Sequence, residues 1–284
     1  MQNNVKTFLL MAGLTALFVW IGGEIGGQQG AIIAFILAAA MNFYSYWFSD
    51  KLVLHRYKAS EVGPQDNARL YRIVQDLTRR ANLPMPRVFL IPDRTPNAFA
   101  TGRNPKHAAV AATEGILQLL NDDELQGVMA HELAHVKHRD ILTGTIVATL
   151  AGAIAMLGQI TRYSSALSQQ KRQNPITLII ILVGAPLAAM LIRMMISRVR
   201  EYSADAGGAE ISGKPLGLAN ALRKLQQGVA KYPMTNGNPA HSHMFIVNPF
   251  FGGLQKLFST HPPIEERIKR LEQMSKTMAY LATS

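Results

Sequence analysis

Two histidines four residues apart, with a glutamate directly after the first, stand in the run His131-Glu132-Leu133-Ala134-His135. On a helix that spacing sends both imidazoles out from one face, so they can grip a single ion. Glu132 lies beside them without needing to ligate, placed to take a proton from an attacking water and pass it to a departing amine. Zinc suits such a donor set, because it favours nitrogen and carboxylate ligands, is redox-inert and brings the pKa of bound water towards neutrality. The chain has no cysteine, so any transition metal must sit on histidine and carboxylate. Its 8 histidines make a chance occurrence of the motif rare, roughly one such sequence in a hundred.

A catalytic zinc needs a third protein ligand, and Glu201 in Glu201-Tyr202-Ser203-Ala204-Asp205 is the best candidate. Glu201 and Asp205 share a helix face one turn apart, so Asp205 can accept a hydrogen bond from a ligand imidazole and orient it. The alternative for the pair is a solvated acidic face. His261 precedes Pro262-Pro263, a rigid helix start that fixes it relative to Arg267. Either side chain is suited to stabilise an oxyanion, and N-terminal capping explains the same residues equally well. His138 is expected to face lipid headgroups beside Lys137 and Arg139. His241 and His243 straddle Ser242 in a loop, where such pairs are more often incidental than metal sites.

These residues need elements to position them. Asn121 or Asp122 makes a natural N-cap, and Asp123 and Glu124 in the first turn favour the helix that carries the histidine motif. Upstream, Leu70, Ile73, Val74 and Leu77 recur at helical spacing. Val88–Ile91, Asn97–Ala100 and Ala108–Ala112 read as short strands, the first fenced by Pro86 and Pro92. Residues 49–140 are therefore expected to form a mixed helix-and-strand unit. Residues 197–231 read as helix, with small residues from Ser203 to Gly208 permitting close packing. Residues 232–260 read as irregular loop and Pro263–Met278 as a final charged helix.

Four further stretches are nearly free of charge and long enough to span a bilayer: Thr7–Gly22, Gly30–Phe48, Ile141–Ile160 and Ile176–Ile196. The second ends in Tyr44, Tyr46 and Trp47, residues suited to a membrane interface. A cleaved signal peptide is the alternative for the first, and a membrane hairpin is the better reading because a second span follows so closely. The expected organisation is a hairpin at 1–48, a first catalytic part at 49–140, a second hairpin at 141–196 and a second catalytic part at 197–284. Basic residues flanking the spans cluster on one side, which places both termini and the soluble parts in the cytoplasm. Three basic residues in the loop of the second hairpin, Arg162, Lys171 and Arg172, leave room for a shallow insertion.

Composition agrees. Apolar residues make up 48% of the chain and charged residues 17%, against roughly 25% charged in soluble domains. The net charge of +11 comes without a basic run or a recognisable nucleic-acid module, so nucleic acid is not an expected partner. A metal transporter would want ionisable residues spread through the spans, which are nearly free of them. A silent membrane scaffold is the remaining rival from another class.

The order of two spans, Asn97-Ala98-Phe99-Ala100-Thr101-Gly102, the histidine motif, two more spans, Glu201–Asp205 and His261-Pro262-Pro263 resembles the HtpX family over essentially the whole chain. Those are bacterial membrane zinc proteases, related to the CAAX-processing prenyl-protein peptidases. The resemblance implies an α-rich integral membrane protein with four transmembrane helices and a cytoplasmic α+β zincin-like (gluzincin) domain. It implies one zinc on His131, His135 and Glu201, with Glu132 as catalytic base. It further implies that Asn97, Ala98 and Phe99 lie along the substrate backbone and that His261 and Arg267 serve the active site. The implied task is quality control of misfolded or damaged membrane proteins under stress, at the bacterial inner membrane, with peptide or membrane-protein substrates and the bilayer as partners. A dedicated prenyl-peptide processor is less expected, since four spans are few for one.

Overall fold

The computed structural model describes residues 2–142, 146, 198–231, 246 and 262–283. Helix α1 (Gln2–Arg56) consists of two helical arms joined at Gly26 and Gly27. Gly27 has φ 58° and ψ −147°, a region that side chains with a Cβ rarely enter, so glycine lets the chain break there. The arms lie against each other: the Asn42 amide donates to Thr15 Oγ1 at 2.8 Å and to the Met11 carbonyl at 3.4 Å.

The stretch Gly26–Phe48 is 23 residues long and apolar, enough to cross a bilayer, and only 11% of its most apolar window is buried inside the protein. Ile32, Ile33, Phe35, Ile36 and Leu37 are each more than half exposed, which water penalises and acyl chains do not. The apolar part of the first arm, Met11–Gly23, is shorter than a full span. The expected spans at 141–160 and 176–196 lie outside the described residues, apart from Ile141, Leu142 and Ile146. The second arm continues past Phe48 as helix, and its last turns bury Val53 and Leu54 in the protein.

Four strands follow: β1 (Ser60–Glu61), β2 (Arg87–Ile91), β3 (Ala98–Gly102) and β4 (Ala108–Thr113), in the order β1-β2-β4-β3. β2 and β4 run parallel, while β3 pairs antiparallel with β4, Phe99 opposite Ala111. Alternation along the strands gives the sheet two buried faces. Val88, Ala98, Val110 and Ala112 join the helical core, while Phe89, Ile91, Phe99 and Ala111 pack with Val53 and Leu54 of α1. The sheet is thereby clamped between the end of the long hairpin and a layer of helices.

That layer contains α2 (Ala68–Ala81), α3 (Glu114–Leu119), α4 (Asp122–Lys137), α5 (Arg198–Ser212), α6 (Pro215–Lys231) and α7 (Ile264–Thr283). α2 buries the stripe Leu70, Ile73, Val74 and Leu77, each worth about 1.5–3 kcal/mol when fully buried. α4 is the central helix, with Leu125, Val128, Met129, Leu133 and Ala134 fully enclosed. The single helix expected over 197–231 is broken at Gly213, whose φ is 67°, into α5 and α6. The final helix runs on to Thr283, beyond the expected Met278.

Candidate active site

The start of α4 is fixed by its own side chains. Asn121 Oδ1 accepts from the Glu124 N–H at 3.0 Å, and Glu124 Oε2 accepts from the Asn121 N–H at 2.9 Å, a reciprocal capping box. Lys224 of α6 donates to the same carboxylate at 2.7 Å. The far end is fixed by backbone. Arg139 takes φ 60°, its N–H donates to the Val136 carbonyl at 3.1 Å, and the Asp140 N–H donates to the His135 carbonyl at 2.9 Å. This is a Schellman turn, and it swings Asp140 back beside the last turn of α4.

α5 crosses α4 at very short range. A Cβ added at Gly208 would meet the His131 N at 2.8 Å, so only glycine fits where the two backbones approach. That contact delivers the first two turns of α5, with Glu201 and Asp205, to the histidines of α4. The small residues of this segment do the packing expected of them.

Ligand atoms of His131, His135 and Glu201 lie within 4.8 Å of one another. His131 Nε2 is 3.8 Å from Glu201 Oε2 and His135 Nε2 is 3.7 Å from Glu201 Oε1, with the two rings nearly perpendicular. On the other side of each ring stands a second carboxylate. His131 Nδ1 faces Asp205 Oδ1 at 3.0 Å, and His135 Nδ1 lies 3.2 Å from Asp140 Oδ2. A carboxylate at Nδ1 favours the proton on that nitrogen, so that the neutral ring turns Nε2 to a metal as its ligand atom. Two imidazole nitrogens and a carboxylate converging this way fit a zinc ion.

Electrostatics follow from the crowding of acids around buried imidazoles. Burial disfavours the charged form of His135, but the hydrogen bond to Asp140 and the charges of Glu201, Glu132 and Asp140 outweigh it and lift its pKa to about 9. An entering metal ion must therefore displace a proton. Burial raises the Glu132 carboxyl above its usual range, opposed by the neighbouring histidines and by the Ala100 N–H, which donates to Glu132 Oε2 at 2.9 Å. A carboxylate raised in this way is a better base near neutral pH.

Arg267 is fully buried, and its Nε and Nη2 donate to the two Asp205 oxygens at 2.8 and 2.7 Å. Burial works against the Asp205 charge, yet this guanidinium and His131 hold its pKa down at about 2. The expected alternatives for Arg267 are an oxyanion partner and part of a helix cap. Two of its nitrogens are engaged by Asp205 and Nη1 lies 3.8 Å from Glu201, so it also braces the acids behind the cluster. His261, His241 and His243 lie outside the described residues. His138 caps α4 and packs beside Gly207.

The strand β3 stands next to the cluster and is an edge of the described sheet. The Ala100 N–H points to Glu132, away from β4, so by alternation the backbone of Ala98 faces the same open side. Asn97 and Phe99 turn their backbones to β4: the Asn97 carbonyl accepts from the Thr113 N–H at 2.9 Å. The Asn97 side chain is also occupied, accepting from the Ile246 N–H at 3.2 Å. Of the three residues expected along a substrate, Ala98 alone presents main chain to the open edge, joined by Ala100. Asp140 was not among the expected residues, because its place depends on the left-handed turn at Arg139.

A model of peptidase family M48 matches residues 64–275. A protein described as "Protease HtpX homolog" from Syntrophotalea carbinolica is 55% identical over 282 residues, covering 96% of this chain and 99% of its own. One of the same description from Burkholderia ambifaria is 56% identical over 281 residues, covering 98% and 99%. Among solved structures, the crystal structure of S. mikatae Ste24p matches with a TM-score of 0.55 at 17% identity, over 95% of this chain and 65% of that one. This chain spans just under two thirds of that structure, and at such low identity the likeness speaks for the fold alone.

Proposed function

The chain belongs to peptidase family M48 and is a metalloprotease, and from that premise we propose a zinc-dependent endopeptidase of the bacterial inner membrane that cleaves misfolded or damaged membrane proteins under stress. The observation that carries this reading is the convergence of His131 Nε2, His135 Nε2 and Glu201 beside the buried Glu132.

His131, His135 and Glu201 would hold one zinc, which when bound supplies Lewis acidity to a peptide carbonyl and acidifies water. Glu132 takes the proton of the attacking water and delivers it to the leaving nitrogen. Asp205 and Asp140 keep the two imidazoles in the tautomer that ligates, and Arg267 keeps Asp205 ionised. An extended substrate adds to β3 through the main chain of Ala98 and the carbonyl of Ala100. Because the Ala100 N–H holds Glu132, the base is registered to the same strand as the substrate. His261 keeps its proposed role at the developing oxyanion.

The proposed topology keeps four spans, with the two catalytic parts at 49–140 and 197–284 and both termini in the cytoplasm. Its support is the exposed apolar span Gly26–Phe48 and the basic residues that flank the spans. Partners are the bilayer and membrane-protein or peptide substrates, and no nucleic acid. The test is cleavage of a misfolded membrane protein by the detergent-purified full chain. Chelation should abolish cleavage, and about one zinc per chain should restore it. Cleavage that persists in chelator, or an intact substrate beside zinc-loaded protein, overturns the reading.

A further inference from the structure

A cavity of about 700 Å³ opens where the end of the α1 second arm meets the sheet, remote from the histidine cluster in its lining residues. Four cationic side chains line it, Lys51 from α1, Arg87 from β2, and Arg103 and Lys106 from the turn between β3 and β4. Among the described residues Asp50 is the one carboxylate in its wall, and it is taken by Arg87 at 3.0 Å. Three cations thus face no other carboxylate among the described lining residues. Arg103 lies over the Trp47 ring, 4.4 Å from its centre, which holds the guanidinium at the cavity.

The position of the cavity along α1 identifies what would fill it. Trp47 belongs to the last turn of the apolar stretch Gly26–Phe48, and Lys51 follows one turn later. If that stretch crosses the bilayer, as proposed above, the cavity sits at the level of the lipid phosphates. Its volume suits a small organic headgroup better than a bare ion. Phe43, 62% exposed and in the same wall, continues the lining down the apolar arm. We propose that the cavity is a binding site for the headgroup phosphate of an anionic phospholipid, with Lys51, Arg103 and Lys106 around the phosphate and the acyl chains running down past Phe43. Basic pockets beside membrane helices bind anionic headgroups by this charge complementarity. The turn that carries Arg103 and Lys106 is the direct continuation of β3, so the bound lipid also braces the strand that holds Glu132.

The chain has two tryptophans, Trp20 and Trp47, so Trp20→Phe leaves Trp47 as the sole tryptophan, excited selectively on the red side of tyrosine absorption. The full chain carrying that change is reconstituted in phosphatidylcholine vesicles with a small fraction of brominated-chain phosphatidylglycerol or brominated-chain phosphatidylcholine. Brominated phosphatidylglycerol should quench Trp47 more strongly at equal fraction. Arg103→Gln with Lys106→Gln should reduce that preference about fivefold for each charge removed, while an unchanged zinc content certifies that the variant is folded. Millimolar inorganic phosphate should leave the preference intact. Equal quenching by both lipids overturns the site while leaving the membrane span standing. Absence of quenching by either lipid overturns both. A preference unchanged in the folded double variant, or one erased by inorganic phosphate, overturns the lipid assignment.

Discussion

His135 is held between two acids, Glu201 at its Nε2 and Asp140 at its Nδ1, and the second of these owes its place to one unusual backbone angle. Asp140 sits five residues after His135, and it returns to the ring because Arg139 adopts φ 60°. Nothing in an arginine announces that conformation, so the contact was not legible in the sequence. Glu201 and Asp205 were legible, since a one-turn spacing and a partner motif are both local signals. Arg267 was legible as a residue of interest, and its partner was not, because burial between two acids is a tertiary fact. Asp140→Asn is expected to weaken zinc binding about 10–100-fold, measured by competition with a chelating dye, with cleavage recovering at saturating zinc. An unchanged zinc affinity would show that Asp140 does not orient the imidazole.

The crossing of α4 and α5 is the element on which the site depends. Gly208 sets its distance, and a side chain there would press on the His131 backbone. Gly208→Val is expected to cost about 1–3 kcal/mol through overpacking and to lower zinc occupancy. Calorimetry and metal analysis check both effects, and a variant with parental stability and zinc content would mean that α5 can retreat without cost. α2 through its strong period, α4 through its cap and its histidine motif, and the strands β2, β3 and β4 are where sequence and structure agree to within a few residues. β1, two residues long, and α3, six residues long, carry no period to read. The break between α5 and α6 does have a local signature, because Gly213 and Pro215 punctuate an otherwise continuous helical pattern.

At the scale of the whole molecule, the hairpin and the catalytic layers are one construction, because the second arm of α1 runs on from the apolar stretch to pack against the sheet. The apolar stretches announce a membrane in the sequence through composition alone, whereas the depth to which α1 enters the catalytic part depends on packing that no run of hydropathy encodes. Orientation can be read directly because the chain has no cysteine. In spheroplasts, Gln28→Cys at the exposed hairpin tip should react with a membrane-impermeant maleimide, and Gln65→Cys, exposed on the catalytic side, should react only after lysis. The reverse pattern would invert the topology. The central claim, that this membrane-anchored helix pair builds a zinc protease around His131, His135, Glu201 and Glu132, is tested most directly by Glu132→Gln, assayed beside the parent for bound zinc and for cleavage of a membrane-protein substrate. The expected result is about one zinc per chain in both proteins and cleavage reduced about 10²–10⁴-fold in the variant. A variant as active as its parent would contradict the account.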